Sequence, residues 1–131
     1  MKSLLDTHFL IWITLSSTRL RDFPWLGLYL PWGVSPVSLL ELQYLSEIGR
    51  LNAKQPEFTD VLIRDQRFVV DDGPVLPMVR TAFSLQWTRD PFDRLLAAHS
   101  LLRQVPFCTV DRNIQANHPL IPPEIRTARS R

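Results

Sequence analysis

The chain has a single cysteine, Cys108, four glycines and two lysines among its 131 residues. One cysteine excludes an internal disulfide framework and any zinc cage built on thiolates. No apolar run approaches the roughly 18 residues that a membrane-spanning helix needs. Met1-Lys2-Ser3 passes directly into Leu4-Leu5-Asp6, which leaves no room for a signal-peptide core. The expectation is a cytoplasmic protein that meets no membrane. His8, His99 and His118 are scattered and form no ligand pattern. His8 is close to Asp6 in sequence, His99 falls in an apolar helix as a satisfied core residue, and Cys108 reads as a small buried apolar residue.

What is present is globular composition: 45% hydrophobic and 21% charged residues. The length predicts one domain over 1–125, followed by a basic tail, 126–131, with Arg126, Arg129 and Arg131. Net charge is +2, but 13 of the 15 basic residues are arginine. Arginine suits bidentate contact with phosphate better than lysine does; a composition bias gives the same count.

Eleven prolines divide the chain into short elements. Lys2 to Leu5 reads as a strand and Thr7 to Leu15 as a helix. Gly33 to Ser35 reads as a second strand. Ser35-Pro36 then forms an N-cap and first turn for a helix to Ile48, closed by Gly49. Helices over Glu57 to Asp65, Val75 to Trp87, Asp90 to Arg103 and Asp111 to Ala116 alternate with strands at Phe68 to Val70, Val105 to Val110 and Pro119 to Ile121. Leu15 to Pro31 resists assignment, because Pro24, Gly27 and Pro31 interrupt it. Such alternation predicts an α/β fold, a short central parallel sheet flanked by helices on both faces.

In such a sheet, ligands bind beyond the carboxyl ends of the strands. Asp6 ends the first strand and Asp111 the late one, although each also suits a helix N-cap. Glu41 falls within the stripe Val37, Leu45, Ile48, where a lone carboxylate costs several kcal/mol unless something pairs it. In Asp90-Pro91-Phe92-Asp93, Asp90 is the N-cap and Asp93 the third helical residue, as in a capping box. Four unneutralised acids at one edge repel by about 3 kcal/mol per pair at ~5 Å and an effective dielectric of ~20. A hard cation relieves that repulsion, and all-oxygen donors favour Mg²⁺ or Mn²⁺. Such a site suits metal-assisted phosphodiester hydrolysis. A phosphoacceptor receiver fits poorly, since it needs an acid pair after the first strand and a late-strand lysine. A haloacid-dehalogenase-type phosphatase needs an acid where His8 stands.

Four segments resemble the PIN domain family: Leu4-Leu5-Asp6-Thr7-His8, Val34 to Leu42 with Gly49-Arg50-Leu51, Arg89 to Ala98, and Thr109-Val110-Asp111-Arg112. Their order and spacing hold over residues 2 to 121, and the nearest group looks like the VapC-type toxins of toxin–antitoxin pairs. The resemblance implies a PIN fold and an Mg²⁺- or Mn²⁺-dependent endoribonuclease. Asp6, Glu41, Asp93 and Asp111 would be the catalytic and metal-holding acids. Thr109 and Thr7 would support them, and Arg94 and Arg112 would contact RNA. A homodimer and a cognate antitoxin partner are also implied. The other class of function is a non-catalytic PIN-like module that binds RNA or protein. The chain departs from the family pattern between Leu15 and Gly33, where Pro24-Trp25-Leu26-Gly27 and Leu30-Pro31-Trp32 replace a longer helical stretch.

Overall fold

The computed structural model describes residues 1–125; the expected basic tail, 126–131, lies outside the described residues. Four strands form one parallel sheet in the order β3-β2-β1-β4. They are β1 (Ser3–Leu5), β2 (Trp32–Val34), β3 (Phe68–Val70) and β4 (Phe107–Cys108). The central strand β1 sets Leu4 opposite both Gly33 and Phe107. All three of its residues are buried, so both of its faces are covered, as parallel sheets require. Gly33 allows this spacing, since a Cβ there would stand 2.6 Å from the Ser3 carbonyl oxygen and run into the Met1 side chain.

The helices follow from local signals. Asp6 accepts a hydrogen bond from the Thr7 amide and opens α1 (Thr7–Thr14), whose Phe9, Leu10 and Ile13 face the core. Ser35 caps α2 (Pro36–Glu47) through the Val37 amide, and Gly49 follows with φ +79°. After α3 (Glu57–Arg64) and β3 comes α4 (Val75–Ala82). Asp90 caps α5 (Pro91–Arg103) by accepting from the amides of Phe92 and Asp93. Leu96 to Ser100 are buried without a break, so α5 is enclosed on all sides, against α4, α2 and β1. Asp111 caps α6 (Arg112–Asn117) through the Ile114 amide. Each fully buried Leu or Phe of this core contributes roughly 1.5–3 kcal/mol.

Five sequence expectations need correction or completion. The last strand, Pro119 to Ile121, does not form among the described residues; a single bond from the Phe107 amide to the Leu120 carbonyl (2.8 Å) stands in for it. β4 is two residues long, not six, because the chain beyond Cys108 turns to present Thr109 and Asp111. α4 ends at Ala82 and not at Trp87. The fully buried residues of α2 are Ser38 and Leu42; Val37 packs half-buried against the core and Leu45 is half-buried, while Ile48 is exposed, so the Val37–Leu45–Ile48 stripe lies at the margin of the buried face. The unassigned segment forms two 3₁₀ helices, Thr18–Asp22 and Pro24–Tyr29. An aromatic cluster holds it: Phe23 packs on Phe9, Trp12 and Trp25, and Trp25 on Tyr29. Trp25 and Trp32 are thereby core residues.

Candidate active site

The acids gather where β1 and β4 end. Asp6 is buried at 3% exposure, and both its oxygens are occupied. Oδ1 accepts from the Thr7 amide at 2.7 Å, and Oδ2 from the Thr109 hydroxyl at 2.6 Å. The Thr109 oxygen in turn accepts from the Asp111 amide at 3.1 Å, so one side chain fixes the acids ending two adjacent strands. Burial raises the Asp6 pKa against these hydrogen bonds, and Asp111 adds to the rise.

Glu41 reaches the same place from α2. Its Oε1 lies 2.5 Å from the Thr7 hydroxyl, which is also 3.0 Å from the Ser38 hydroxyl. Thr7 has one hydroxyl proton, and the carboxylate is the stronger acceptor, so Thr7 donates to Glu41 and Ser38 donates to Thr7. Burial lifts the Glu41 pKa despite that bond, and Asp6 and Asp90 push it further.

Asp93 is the least compensated member. It is half-buried and accepts no hydrogen bond from any described residue. Its pKa is pushed up to about 7, by burial first and then by Asp6, Asp90, Asp111 and Glu41. The capping reading of Asp93 is therefore wrong in detail. Asp90 alone caps α5, and Thr88 rather than Asp93 receives the Asp90 amide. Asp90, read from the sequence as a cap first although it too falls in the matching motif, also contributes its charge to the cluster.

The structure thus sets Asp93 within electrostatic reach of Asp6, Glu41 and Asp111, and Asp6 within reach of Glu41 and Asp111, with Thr7 and Thr109 as hydroxyl partners of Glu41 and Asp6. Among the described residues, no three carboxylate, histidine or cysteine side chains form a ready-made metal cage. The donor set itself fits a hard cation. It is all oxygen, carries excess negative charge, and includes one carboxylate, Asp93, with no hydrogen-bond donor.

The two candidate arginines differ. Arg112 is exposed beside Asp111. Arg94 spends part of its guanidinium on the carbonyls of Ala82 (3.0 Å) and Phe83 (3.3 Å), which ties α5 to the end of α4. His8 is exposed, and its charge lowers the pKa of both Asp6 and Glu41.

Two residues escaped the sequence reading. Asp71 follows β3 as Asp6 follows β1, so its place at a strand end was the available signal. It accepts from His99 Nε2 (2.7 Å) and Arg103 Nε (2.7 Å). Burial opposes its charged form, but those two bonds outweigh it and the Asp71 pKa is lowered. His99 Nδ1 lies 2.8 Å from the Ser35 hydroxyl, so the network ends on the N-cap of the helix carrying Glu41. Ser38 is the second, found only once α1 and α2 are docked.

Strand order, all-parallel pairing and a cluster of acids at the carboxyl edge of the sheet define an α/β protein with a polyanionic site. The family model of the PIN domain matches residues 3–118. The chain belongs to the PIN domain family. Its fold is similar to that of a toxin–antitoxin complex from Klebsiella pneumoniae, with a TM-score of 0.62 and 16% identity over 92% of this chain and 95% of that one. It is also similar to VapBC2 from Rickettsia felis bound to a DNA fragment from their promoter, with a TM-score of 0.61 and 17% identity over 92% and 96% of the two chains. No curated protein is significantly similar to it in sequence. No described helix is long and apolar enough to cross a membrane.

Proposed function

We propose that this chain is a metal-dependent endoribonuclease, the VapC-type toxin of a toxin–antitoxin pair, acting in the cytoplasm. The observation that carries the reading is Asp93: a half-buried carboxyl without a hydrogen-bond donor, pushed up to about 7 in the company of Asp6, Glu41, Asp90 and Asp111. Such a cluster is costly unless a cation completes it.

Asp6, Glu41, Asp93 and Asp111 would hold Mg²⁺ or Mn²⁺, which when bound polarises a phosphodiester and activates water for in-line attack. Thr109 orients Asp6 and, through the Asp111 amide, the start of α6. Thr7, backed by Ser38, fixes Glu41 against α1. Arg112 and the free donors of Arg94 would meet the RNA backbone.

An antitoxin partner is supported by the likeness in fold to chains of two toxin–antitoxin complexes. Association of two copies is supported by exposed apolar side chains: Leu40 and Tyr44 on α2 with Ile48 just beyond it, and Val75 and Leu76 on α4 with Phe83 just beyond it. The 24–32 segment is a weaker contact surface than its sequence suggests, since Trp25 and Leu26 turn inward and leave Leu28 outside. Light scattering at twice 15.2 kDa supports the dimer, and a monomer at tens of micromolar removes it.

The test of activity is cleavage of RNA by purified protein with Mg²⁺ or Mn²⁺ and its arrest by EDTA. Products should carry 5′-phosphate and 3′-hydroxyl ends, because water rather than the ribose 2′-hydroxyl is the nucleophile. A 2′,3′-cyclic phosphate, or full activity in EDTA, refutes the mechanism. RNA binding without cleavage points instead to a non-catalytic PIN-like module.

A further inference from the structure

Beside the acidic cluster, a depression of about 400 Å³ is lined by Gln86, Arg89 and Arg94. It lies between the end of α4 and the start of α5. Arg89 immediately precedes Asp90, the cap of α5, and Arg94 immediately follows Asp93. Gln86 and Arg89 are exposed and bond to no described side chain or backbone group. Arg94 is held in orientation by Ala82 and Phe83 through Nη2, which leaves Nε and Nη1 to donate elsewhere.

Two cations next to a cluster of acids would ordinarily pair with them. Here they do not. Among the described residues, the only arginines in ion pairs are Arg67, with Asp65, and Arg103, with Asp71. The charges that shift Asp93 most are all negative: Asp6, Asp90, Asp111 and Glu41. Asp90 spends its carboxylate on the amides of Phe92 and Asp93. The N-terminus of α5 therefore carries the acids Asp90 and Asp93 and the flanking cations Arg89 and Arg94 without an ion pair between them.

We propose that Gln86, Arg89 and Arg94 form a subsite for a non-scissile phosphate of the RNA strand whose neighbouring phosphate lies at the acids, an inference that rests on the nuclease reading of that site. Guanidinium forks match the oxygens of a phosphodiester, and the Gln86 amide adds a neutral donor at the rim. The division of labour is physical. The acids need a cation before they tolerate a phosphate, while the pocket binds one without metal.

That difference makes the subsite testable in EDTA, where nothing is cleaved. Binding of a short single-stranded oligoribonucleotide is followed by fluorescence anisotropy across a salt series. Arg89→Ala should weaken binding about tenfold, the size of one charge-assisted hydrogen bond. It should also reduce the salt slope by about 0.7, one phosphate contact on a single strand. Arg89→Lys should restore the slope but only part of the affinity. Gln86→Ala should cost about threefold without changing the slope, since it removes a neutral bond. Inorganic phosphate should compete for the wild type more strongly than for Arg89→Ala. Arg21→Ala, on the exposed 3₁₀ helix, controls for general charge. The subsite is overturned if Arg89→Ala binds as the wild type does, or if Arg21→Ala loses as much. Cleavage with Mg²⁺ is measured separately. Arg89-dependent binding without any cleavage sinks the nuclease reading and leaves a phosphate pocket; cleavage with KM unchanged in Arg89→Ala sinks the subsite alone.

Discussion

Thr109 Oγ donates to Asp6 Oδ2 at 2.6 Å, across 103 positions of sequence. The bond joins the ends of two adjacent parallel strands, and both partners are nearly inaccessible to water. Thr109→Val keeps the shape and removes the hydroxyl. Asp6 then loses one of its two hydrogen bonds while staying buried, which should cost about 1–3 kcal/mol in urea denaturation. Thr109→Ser should recover most of it. Wild-type stability in Thr109→Val would mean that water replaces the hydroxyl and that the bond holds nothing together.

The His99 network should matter to the helix carrying Glu41. The Asp71 carboxylate can only accept, so His99 Nε2–H donates to it; in the neutral ring Nδ1 is then the acceptor of the Ser35 proton, while Ser35 Oγ accepts from the Val37 amide. His99→Leu strips Ser35 of its acceptor and Asp71 of one donor. Unfolding free energy should fall by about 2 kcal/mol. His99→Gln, which carries both an acceptor and a donor, should lose less. Equal losses in the two variants would show that packing, and not the hydrogen-bonded chain, sets the cost.

How much of this was legible in the sequence depends on range. Ser35, Asp90 and Asp111 act as caps on amides two or three residues away, and a cap is a local signal. The strand at Phe68–Val70 was legible from its short apolar run. Glu41 was noticed for a sound reason, its cost on a buried face, and it sits half-buried at the margin of that face. Its partner, Thr7, stands 34 positions away and becomes visible only when α1 docks on α2. The Asp71–His99–Ser35 chain was hidden for the same reason. The segment from Leu15 to Gly33 follows no helical period, because stacking among Phe9, Trp12, Phe23 and Trp25 sets its path.

His118 should make the fold acid-sensitive. It is 1% exposed, and its Nε2 lies 3.0 Å from Ser100 Oγ. Ser100 gives its proton to the Val105 carbonyl, so His118 Nε2–H must be the donor. Nδ1 is then a buried lone pair with no partner among the described residues. Protonation would create a buried N–H with nowhere to donate, and burial lowers the His118 pKa to about 4. The unfolded chain, with a histidine near 6.5, binds that proton first. Stability is therefore complete above pH ~6.5 and is lost as pH falls toward 4. Relative to His118→Gln, the wild type should lose about 2 kcal/mol between pH 7 and pH 5 in paired denaturation curves. Parallel pH profiles for the two proteins would remove His118 as the cause.

The sharpest test sets Asp93 as a capping residue against Asp93 as part of a metal-holding cluster. A residue that only caps favours its charge, because the helix N-terminus attracts anions. Asp93→Asn would then cost about 0.3–1 kcal/mol and leave cleavage nearly unchanged. The structure argues for the opposite sign. The Asp93 carboxyl already feels the N-terminus of α5, yet burial and four neighbouring acids still push it up to about 7. The net environment opposes the charge, so removing it should raise metal-free stability by on the order of 1 kcal/mol, after allowance for the solvent that reaches this half-buried group. Stabilisation by Mg²⁺ should shrink, since binding to the native state supplies it. Cleavage should fall by orders of magnitude. Glu41→Gln should follow the same pattern without any capping role to confuse it, and its amide oxygen still accepts from Thr7. Thermal melts of the wild type and both variants, in EDTA and in Mg²⁺, run beside RNA cleavage. Two variants that melt lower in EDTA yet cleave at near wild-type rates would leave these acids a structural role only.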